Sequence, residues 1–293
     1  MLVLPPAGPL AQKLVARLAP QVEDCRWQGR FRFFPRTSRF SADTDCTAIA
    51  TGALYEHGLL SAADLQQGVS ELLRAAAPAP ADCRVRADGR GDEHSYQHVL
   101  MVYWEDGVEP NALPRGRKHD AVACANALYT LHLNHQYIAG DDEAVITASM
   151  RYLRDHLVSR RYMHGTRYYP SPDAFLYAAS RICARFPQHS RMLTTPLRHA
   201  VQEREIDTQT WALADQPGTA LDLALRTLAA DNLALNVGQD EGRMLLARLQ
   251  QPDGSWPACP YYRMGRFPVY FGSPCLTTLF ARRALRGRRR EQS

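Results

Sequence analysis

The stretch SADTDCTAIA, residues 41–50, carries two carboxylates, Asp43 and Asp45, at the entrance to an apolar segment of helical character. Two carboxyl groups in a low dielectric cannot both hold a charge, so one of them keeps its proton at neutral pH. A buried acid of this kind can protonate an alkene, and an epoxide requires a weaker acid. The pair therefore indicates general acid chemistry. In a simpler interpretation, Asp43 caps the helix and Asp45 interacts favourably with the helix dipole.

Aromatic residues are concentrated in the connectors ahead of the apolar segments. A carbocation formed by protonation is stabilised by aromatic faces, and water or lone pairs would quench it. We therefore predict that these rings contact the substrate, whereas Trp256 in the sequence DGSW is expected to be structural. The predicted substrate-binding aromatics are Phe33, Phe34, Tyr168, Tyr169, Trp211, Tyr261, Tyr262, Tyr270 and Phe271.

Further polar residues lie next to the acid pair or at the start of other apolar segments. His119 and Asp120 precede one such segment, and Asp173 begins another, so we predict that they bind substrate at the same mouth. A carboxylate formed by proton transfer needs hydrogen-bond donors, and Cys46, Thr47 or His119 is expected within reach of it. As isolated acids, Asp120 and Asp173 also suit helix caps.

Ten segments with helical periodicity position these residues. Five have apolar residues at three-to-four spacing and a charged opposite face, which predicts amphipathic helices at 9–18, 62–75, 142–158, 196–205 and 239–251. Five others are rich in alanine and small residues around most of their surface, which predicts burial on several sides for 47–58, 121–133, 174–186, 220–235 and 275–285. The two kinds alternate five times with a period of about fifty residues, a pattern typical of arrays of helix pairs.

Asp, Ser or Thr lies near the start of each small-residue segment, where its oxygen can accept the unpaired N–H groups of the first turn. These helices are therefore expected to begin around a shared mouth. The predicted fold is all-α, a single (α/α) toroid of about five to six helical hairpins whose inner helices line a central cavity. Residues 1–286 are predicted to form this single domain, followed by a basic tail, 287–293.

Two stretches resemble the squalene-hopene and oxidosqualene cyclase superfamily. Residues 250–285, which begin QQPDGSW, resemble its QW-type repeat, in which Gln and a Gly-Ser/Thr-Trp turn precede a helix. The sequence DTDCTA, residues 43–48, resembles the class II acid motif, Asp-x-Asp-Asp followed by Thr, and its DCTA half matches the oxidosqualene cyclase form. The resemblance implies that Asp45 is the proton donor, that Asp43 is its acidic neighbour, and that Cys46 replaces the final Asp.

The chain departs from that superfamily in its length, because triterpene cyclases pair two barrels around one site. The class I signature D-D-x-x-D is also missing, since GDDEA at residues 140–144 lacks the last acid. The expected activity is that of a class II terpene cyclase, an isomerase or lyase, which protonates an alkene or epoxide of a prenyl chain and cyclises it through carbocations. No cofactor and no metal site are expected. Mg²⁺ is expected only if the substrate carries a diphosphate.

Other functions remain open at this stage. A carbohydrate-active toroid could use Asp45 with Asp120 or Asp173 as acid and base, with aromatic rings against the sugars. A non-catalytic toroid could bind a lipid or a partner protein. Protein prenyltransferase β subunits share the toroid and bind zinc, but His119 with Cys124, and Cys259 or Cys275, do not reproduce their ligand pattern.

The formal net charge of +5 arises largely from six arginines in the last twelve residues. Elsewhere the basic residues alternate with acids and no nucleic-acid-reading motif occurs, so a small prenyl or terpenoid molecule is the expected partner.

Seven widely spaced cysteines form no C-x-x-C pair, and no apolar run reaches the length of a membrane span. We expect a cytoplasmic protein, with peripheral membrane contact and the oligomeric state left open. Four further arginines could bind an anionic head group or form a solvated loop: Arg30, Arg32, Arg36 and Arg39.

Overall fold

The computed structural model describes residues 8–35, 39–77, 96–103, 109–206, 219–235 and 239–287. These residues form ten α-helices: α1 (Pro9–Glu23), α2 (Thr44–Glu56), α3 (Ala62–Arg74), α4 (Ala121–Leu133), α5 (Glu143–Val158), α6 (Pro172–Arg185), α7 (Arg191–Ile206), α8 (Ala220–Asn232), α9 (Gln239–Arg248) and α10 (Pro274–Arg286). Three short 3₁₀ helices cover His135–Tyr137, Gly140–Asp142 and Arg161–His164. Two small antiparallel hairpins complete the described elements, β1 (Arg26–Trp27) with β2 (Arg30–Phe31) and β3 (Tyr262–Arg263) with β4 (Tyr270–Phe271).

The ten predicted helices are confirmed, with shifts at their ends. Helix α4 has the predicted bounds, because its cap and its apolar run are both explicit in the sequence. Helix α7 begins at Arg191, five residues before the predicted start at residue 196, and Pro196 lies inside it. A proline is most easily tolerated in the first turn of a helix, which is why the sequence pattern favoured the later start. Within the described residues, no helix is long and apolar enough to cross a bilayer.

The predicted capping of the even-numbered helices is confirmed at all five starts. Each N-cap side chain accepts a hydrogen bond from a backbone N–H of the first turn, and the five caps are Asp43, Asp120, Ser171, Thr219 and Ser273. An oxygen at this position compensates N–H groups that have no acceptor within the helix. The alternative assignment of Asp173 as a cap is wrong, because Ser171 takes that position.

Burial separates four of the even-numbered helices from the fifth. Helix α4 is buried from Ala121 to His132, and α2, α6 and α8 are buried over most of their length. Helix α10 buries only Thr277, Phe280, Ala281 and Ala284. These four positions form a single stripe at helical spacing, so the described surroundings cover one face of α10. The prediction that α10 is buried on several sides is therefore wrong.

The chain divides into two compact units, residues 1–152 and 153–293. In the first unit, α2 packs against α3 and α4. The backbones approach closely there: a Cβ atom at Gly52 would lie 2.7 Å from Thr130 Oγ1, which itself donates to the Ala48 carbonyl. In the second unit, α8 packs against α6 and α10. The extent of a single domain over 1–286 stays a prediction, and residues 288–293 of the predicted tail lie outside the described residues.

Candidate active site

The first turn of α2 carries both acids of the DTDC motif. Asp43 is 5% exposed and Asp45 is 8% exposed. Asp43 Oδ1 accepts a hydrogen bond from the Cys46 N–H at 2.8 Å, and the Asp43 N–H donates to the Phe31 carbonyl at the end of β2. The cap interpretation of Asp43 is thus confirmed. It does not exclude acid chemistry, because the same carboxyl group is buried beside a second one.

The pKa of Asp43 is raised to about 7, chiefly by burial of its carboxyl group and secondly by the neighbouring Asp45 carboxylate. Hydrogen bonds from Cys46 and from the Asp45 backbone lower this pKa without outweighing the two larger effects. The pKa of the Cys46 thiol lies well above its ordinary value because of burial and the two carboxylates. The thiol therefore stays protonated and can donate to Asp43. The raised pKa of Asp43 means that the acid pair retains a proton up to nearly neutral pH, as the spacing of the carboxylates predicts.

Asn126 supplies the hydrogen bond that Asp45 receives from the neighbouring even-numbered helix. Its Nδ2 lies 2.8 Å from Asp45 Oδ1, and its side chain is buried in the middle of α4. Sequence reasoning missed this residue. A signal was present, because a buried amide in the otherwise apolar run AVACANA needs a hydrogen-bond partner elsewhere in the fold.

An extended apolar segment, residues 99–103, lies against the start of α2 and is buried throughout. We call it the strap. The Thr44 N–H donates to the Val102 carbonyl at 2.9 Å, and the Thr44 hydroxyl donates to the Met101 carbonyl. Sequence reasoning missed the strap as well, although an apolar run of this length is typical of a buried extended segment. The strap brings backbone carbonyls to the residue between the two acids.

His119 contacts the strap and does not hydrogen-bond Asp45. Its Nδ1 lies 3.1 Å from the Leu100 carbonyl oxygen, and its ring contacts those of Tyr96 and Tyr152 with centroids 5.4 and 5.9 Å away. Burial lowers the pKa of His119. The expectation that His119 donates to the acid is therefore wrong, because the strap carbonyl takes its Nδ1 and Asn126 takes the position beside Asp45.

Two other expected donors are also engaged elsewhere. Thr47 Oγ1 accepts from the Phe31 N–H at 3.0 Å, which ties α2 to β2. Cys46 bonds Asp43 through its backbone N–H and its thiol. Both residues thus fix the first turn of α2 to its surroundings, and the expectation that they donate to Asp45 is not met.

Two arginines of the basic connector form buried ion pairs. Arg30 Nε lies 2.5 Å from Glu71 Oε2, and Arg32 pairs with Glu109. Glu109 also accepts from the Ala42 N–H at 2.7 Å, directly before the acid motif. Neither arginine lies in a solvated loop or is available to bind a head group, because a carboxylate already neutralises each guanidinium. Arg39 is exposed, and Arg36 lies outside the described residues.

The predicted aromatic residues of the first unit form a small group on the connector before α2. Phe33 and Phe34 meet edge to face with centroids 4.9 Å apart, and Phe34 contacts Phe40 at the same distance. The Arg115 guanidinium lies 3.8 Å from the centre of the Phe40 ring. A cation already occupies one ring face of this group.

In the second unit, five of the predicted aromatics contact one another. Tyr168 stacks on Tyr262 with an interplanar angle of 7°, Tyr169 meets Tyr261 edge to face at 5.2 Å, and Tyr262 contacts Phe271. Sequence reasoning missed two members that extend this aromatic cluster, because both lie within helices. These are Tyr177 and Phe280. Tyr270 is 50% exposed, and Trp211 lies outside the described residues.

Asp173 is fully buried between two guanidinium groups. Its Oδ2 lies 3.1 Å from Arg226 Nη2 and 3.0 Å from Arg204 Nη2. Burial would raise the pKa of Asp173, but Arg226 and Arg204 outweigh burial and lower it. Asp173 is therefore ionised and committed to ion pairs, which contradicts its assignment as a substrate-binding residue at the mouth.

Asp120 accepts from the N–H groups of Val122 and Ala123, at 2.9 and 3.3 Å, so its cap interpretation is confirmed. Asp173, which two arginines hold ionised, does not supply the second carboxyl group of the acid and base pair that a carbohydrate-active site requires. The structural role expected for Trp256 is also confirmed, since its Nε1–H donates to the Leu246 carbonyl at 2.8 Å.

Among the residues that the structure describes, no three His, Cys, Asp or Glu side chains are grouped as a metal ion would require. Asp141 and Asp142 of the GDDEA sequence lie in a 3₁₀ helix ahead of α5. The absence of a cofactor, and a role for Mg²⁺ with a diphosphate substrate, stay predictions.

No family model matches the sequence. Drimenol cyclase drtB of Aspergillus calidoustus is 27% identical over 186 residues, which are 62% of this chain and 32% of that enzyme. The match thus spans about a third of the curated relative.

Solved structures match over nearly the whole chain. The type II terpene cyclase MstE from Scytonema, in its apo form, is 13% identical, with a TM-score of 0.64 over 97% of this chain and 84% of that one. A variant of MstE in complex with geranylgeranyl dihydroxybenzoate is 14% identical, with a TM-score of 0.63 over 97% and 83%. A protein from Actinoplanes gives 15% identity and a TM-score of 0.63 over 95% and 84%. The resemblance to class II terpene cyclases and the all-α toroid class are confirmed, and the number of hairpins stays a prediction.

Proposed function

We propose that this protein is a class II terpenoid cyclase that protonates a terminal alkene or epoxide of a prenyl chain and cyclises it through carbocations. The observation that carries the proposal is the buried pair of acids at the start of α2, with the Asn126 amide on Asp45. The likeness to a drimenol cyclase and to type II terpene cyclases supports the same reaction class. Because the curated match covers only part of that relative, the activity and the substrate both belong to the proposal.

Asp45 is the proton donor in this scheme. The Asp43 carboxyl accepts hydrogen bonds from Cys46 and from the Asp45 backbone, so it is committed to holding the first turn of α2. Beside it, Asp45 transfers the proton that the pair shares to the CH carbon of the terminal trisubstituted alkene, whose π electrons form the new C–H bond. The cation develops on the tertiary carbon that carries the two methyl groups, and the next double bond attacks it to close a ring. The amide of Asn126 then stabilises the Asp45 carboxylate that remains.

The aromatic residues named above are proposed to bind the prenyl chain through their ring faces. In the first unit, Tyr96, His119 and Tyr152 form a group of rings attached to the strap that also bonds Thr44. Loss of a proton to a base or capture of water ends the reaction.

The substrate is proposed to be a farnesyl or geranylgeranyl chain with a diphosphate or a prenylated aromatic head. Mg²⁺ would accompany a diphosphate as its counter-ion. Domain extent, cytoplasmic location and peripheral membrane contact remain parts of this proposal.

The test is a product analysis in deuterated water. Purified protein is incubated with farnesyl and geranylgeranyl diphosphate and with a prenylated dihydroxybenzoate, each with and without a terminal epoxide. Initiation by protonation of an alkene introduces one deuterium from solvent at the carbon that was the CH carbon of the terminal double bond. Ionisation of an allylic diphosphate introduces none at that carbon, so a cyclic product that lacks this label and is formed from a substrate without an epoxide would overturn the proposal.

Asp45→Asn is expected to lower the cyclisation rate by at least about 100-fold while circular dichroism and the midpoint of unfolding stay unchanged. A matched control is Asp222→Asn. Asp222 lies in the first turn of α8, where it accepts from the Thr219 N–H at 2.7 Å, and Asn can keep this contact. Equal turnover by the two variants would exclude Asp45 as the acid.

A further inference from the structure

Thr44 lies between the two acids and is the first residue of α2. It is 1% exposed. The N–H group at this position of a helix has no acceptor within the helix. In this protein it donates to Val102, and the hydroxyl makes a second hydrogen bond to the adjacent carbonyl, that of Met101. One residue of the acid-bearing turn is thus attached to the strap at two points.

The strap is itself held on three sides. The Met101 N–H donates to the Ala75 carbonyl after α3 at 2.8 Å, and the Val102 N–H donates to the Lys118 carbonyl before α4 at 2.7 Å. The Leu100 N–H donates to Ser149 Oγ of α5 at 3.1 Å. Because the side chains of the strap are also buried, its carbonyls form a fixed support for Thr44.

The same turn also contacts α4, because Asp45 Oδ1 accepts a hydrogen bond from the Asn126 amide. The turn is therefore held between the strap and α4. We propose that Thr44 is a positioning residue that acts through Asp45: its two hydrogen bonds to the strap hold the acid-bearing turn in register with Asn126. This inference rests on the proposed function, since it assigns the geometry that proton transfer from Asp45 requires.

The hydroxyl of Thr44 is not needed to start the helix. Asp43 caps α2 by accepting from the Cys46 N–H, and Val102 accepts the N–H of Thr44 itself. Helix formation would therefore persist without the hydroxyl. Its bond to Met101 restricts the rotation of the turn, and small errors in the placement of a reacting group reduce rates strongly.

The test compares Thr44→Val, which removes the hydroxyl at nearly constant shape, with Thr44→Ser, which keeps it. Thr44→Val is expected to lower kcat by about 10- to 100-fold with little change in KM, and Thr44→Ser is expected to remain within about threefold of the wild type. The matched control is Thr130→Val, which removes another buried hydroxyl bonded to a carbonyl of a neighbouring segment, Ala48. That control should lose stability but keep kcat.

A second readout needs no substrate. Carboxyl ¹³C chemical shifts followed over pH report the titration of the acid pair. Thr44→Val should shift the midpoint of this titration, and Thr130→Val should leave it unchanged. Wild-type kcat in Thr44→Val, an equal loss in Thr44→Ser, or an unshifted titration would each overturn the inference. If the wild type cyclises no substrate, the proposed function fails, and the titration still decides whether Thr44 positions the pair.

Discussion

Asn126 Nδ2 donates to Asp45 Oδ1 at 2.8 Å, although 81 positions separate the two residues in the chain. A corresponding contact occurs in the second unit, where Asp173 of α6 meets Arg226 of α8, the next even-numbered helix. Both acids lie two positions after the cap of their helix. An uncharged amide allows the acid pair of α2 to keep a proton, whereas a guanidinium keeps Asp173 ionised. The residue that the next even-numbered helix supplies therefore decides whether the acid can donate a proton or forms a structural ion pair.

Replacing Asn126 by Leu removes the donor to Asp45 at similar volume. We expect kcat to fall by about 10- to 100-fold, since a hydrogen bond to a charged group contributes about 1.5–3 kcal/mol and the Asp45 carboxylate that remains after proton transfer would lose this donor. Steady-state kinetics with the substrate that is turned over measure this loss. The control is Asn232→Leu, which removes an amide that donates to Ser180 Oγ at 3.0 Å. Equal kcat values for both variants would contradict the role of Asn126.

The pKa of Asp43 predicts how stability depends on pH. The folded value of about 7 lies above the ordinary value of 3.8, so the folded state binds the extra proton between these values. The contribution of Asp43 to the free energy of unfolding is therefore greatest below its ordinary pKa. This contribution falls as the pH rises to about 7, in total by about 4 kcal/mol at most.

Asp43→Asn keeps an N-cap acceptor but cannot ionise, so its stability should vary less between pH 5 and pH 8 than that of the wild type. Urea unfolding at several pH values in this range measures the difference. Parallel curves for the two proteins would contradict the raised pKa.

Asp173→Asn leaves the guanidinium groups of Arg204 and Arg226 buried without a counter-charge. We expect a loss of about 3–5 kcal/mol in the free energy of unfolding at neutral pH. Because the pKa of Asp173 is lowered, its stabilisation is present at neutral pH and is lost on acidification through its folded pKa. Chemical denaturation measures the loss, and the control is Glu23→Gln at the exposed pair with Arg26, which should change stability by less than about 1 kcal/mol. A similar small change at both sites would argue against the buried network.

Gly52→Ala should weaken the contact between α2 and α4. The new Cβ would lie 2.7 Å from Thr130 Oγ1, and that hydroxyl cannot move without disturbing its bond to Ala48. We expect a loss of about 1–3 kcal/mol, measured by chemical denaturation. Gly140→Ala is the control, because nothing lies within 4 Å of the position that its new methyl group would take. The prediction fails if both variants unfold at the same midpoint.

Several local features were predictable without a structure. The bounds of α4 and the five polar caps follow from short-range rules, since an N-cap oxygen and the spacing of apolar residues act within one or two turns. Helix α7 and the burial of α10 were less well predicted. The start of α7 depends on how a proline is accommodated, and the burial of α10 depends on which neighbours cover it.

The sequence by itself determined the alternation of helix types, the helix starts and the presence of two acids in the first turn of α2, because those features depend on residues close together in the chain. Only the tertiary structure decided which groups meet the acids. Asn126 and the strap reach that turn from distant parts of the chain, and Asp173 meets Arg226 from 53 positions away. Such partners are set by which faces pack together, and periodicity shows that a face is buried without showing what lies against it.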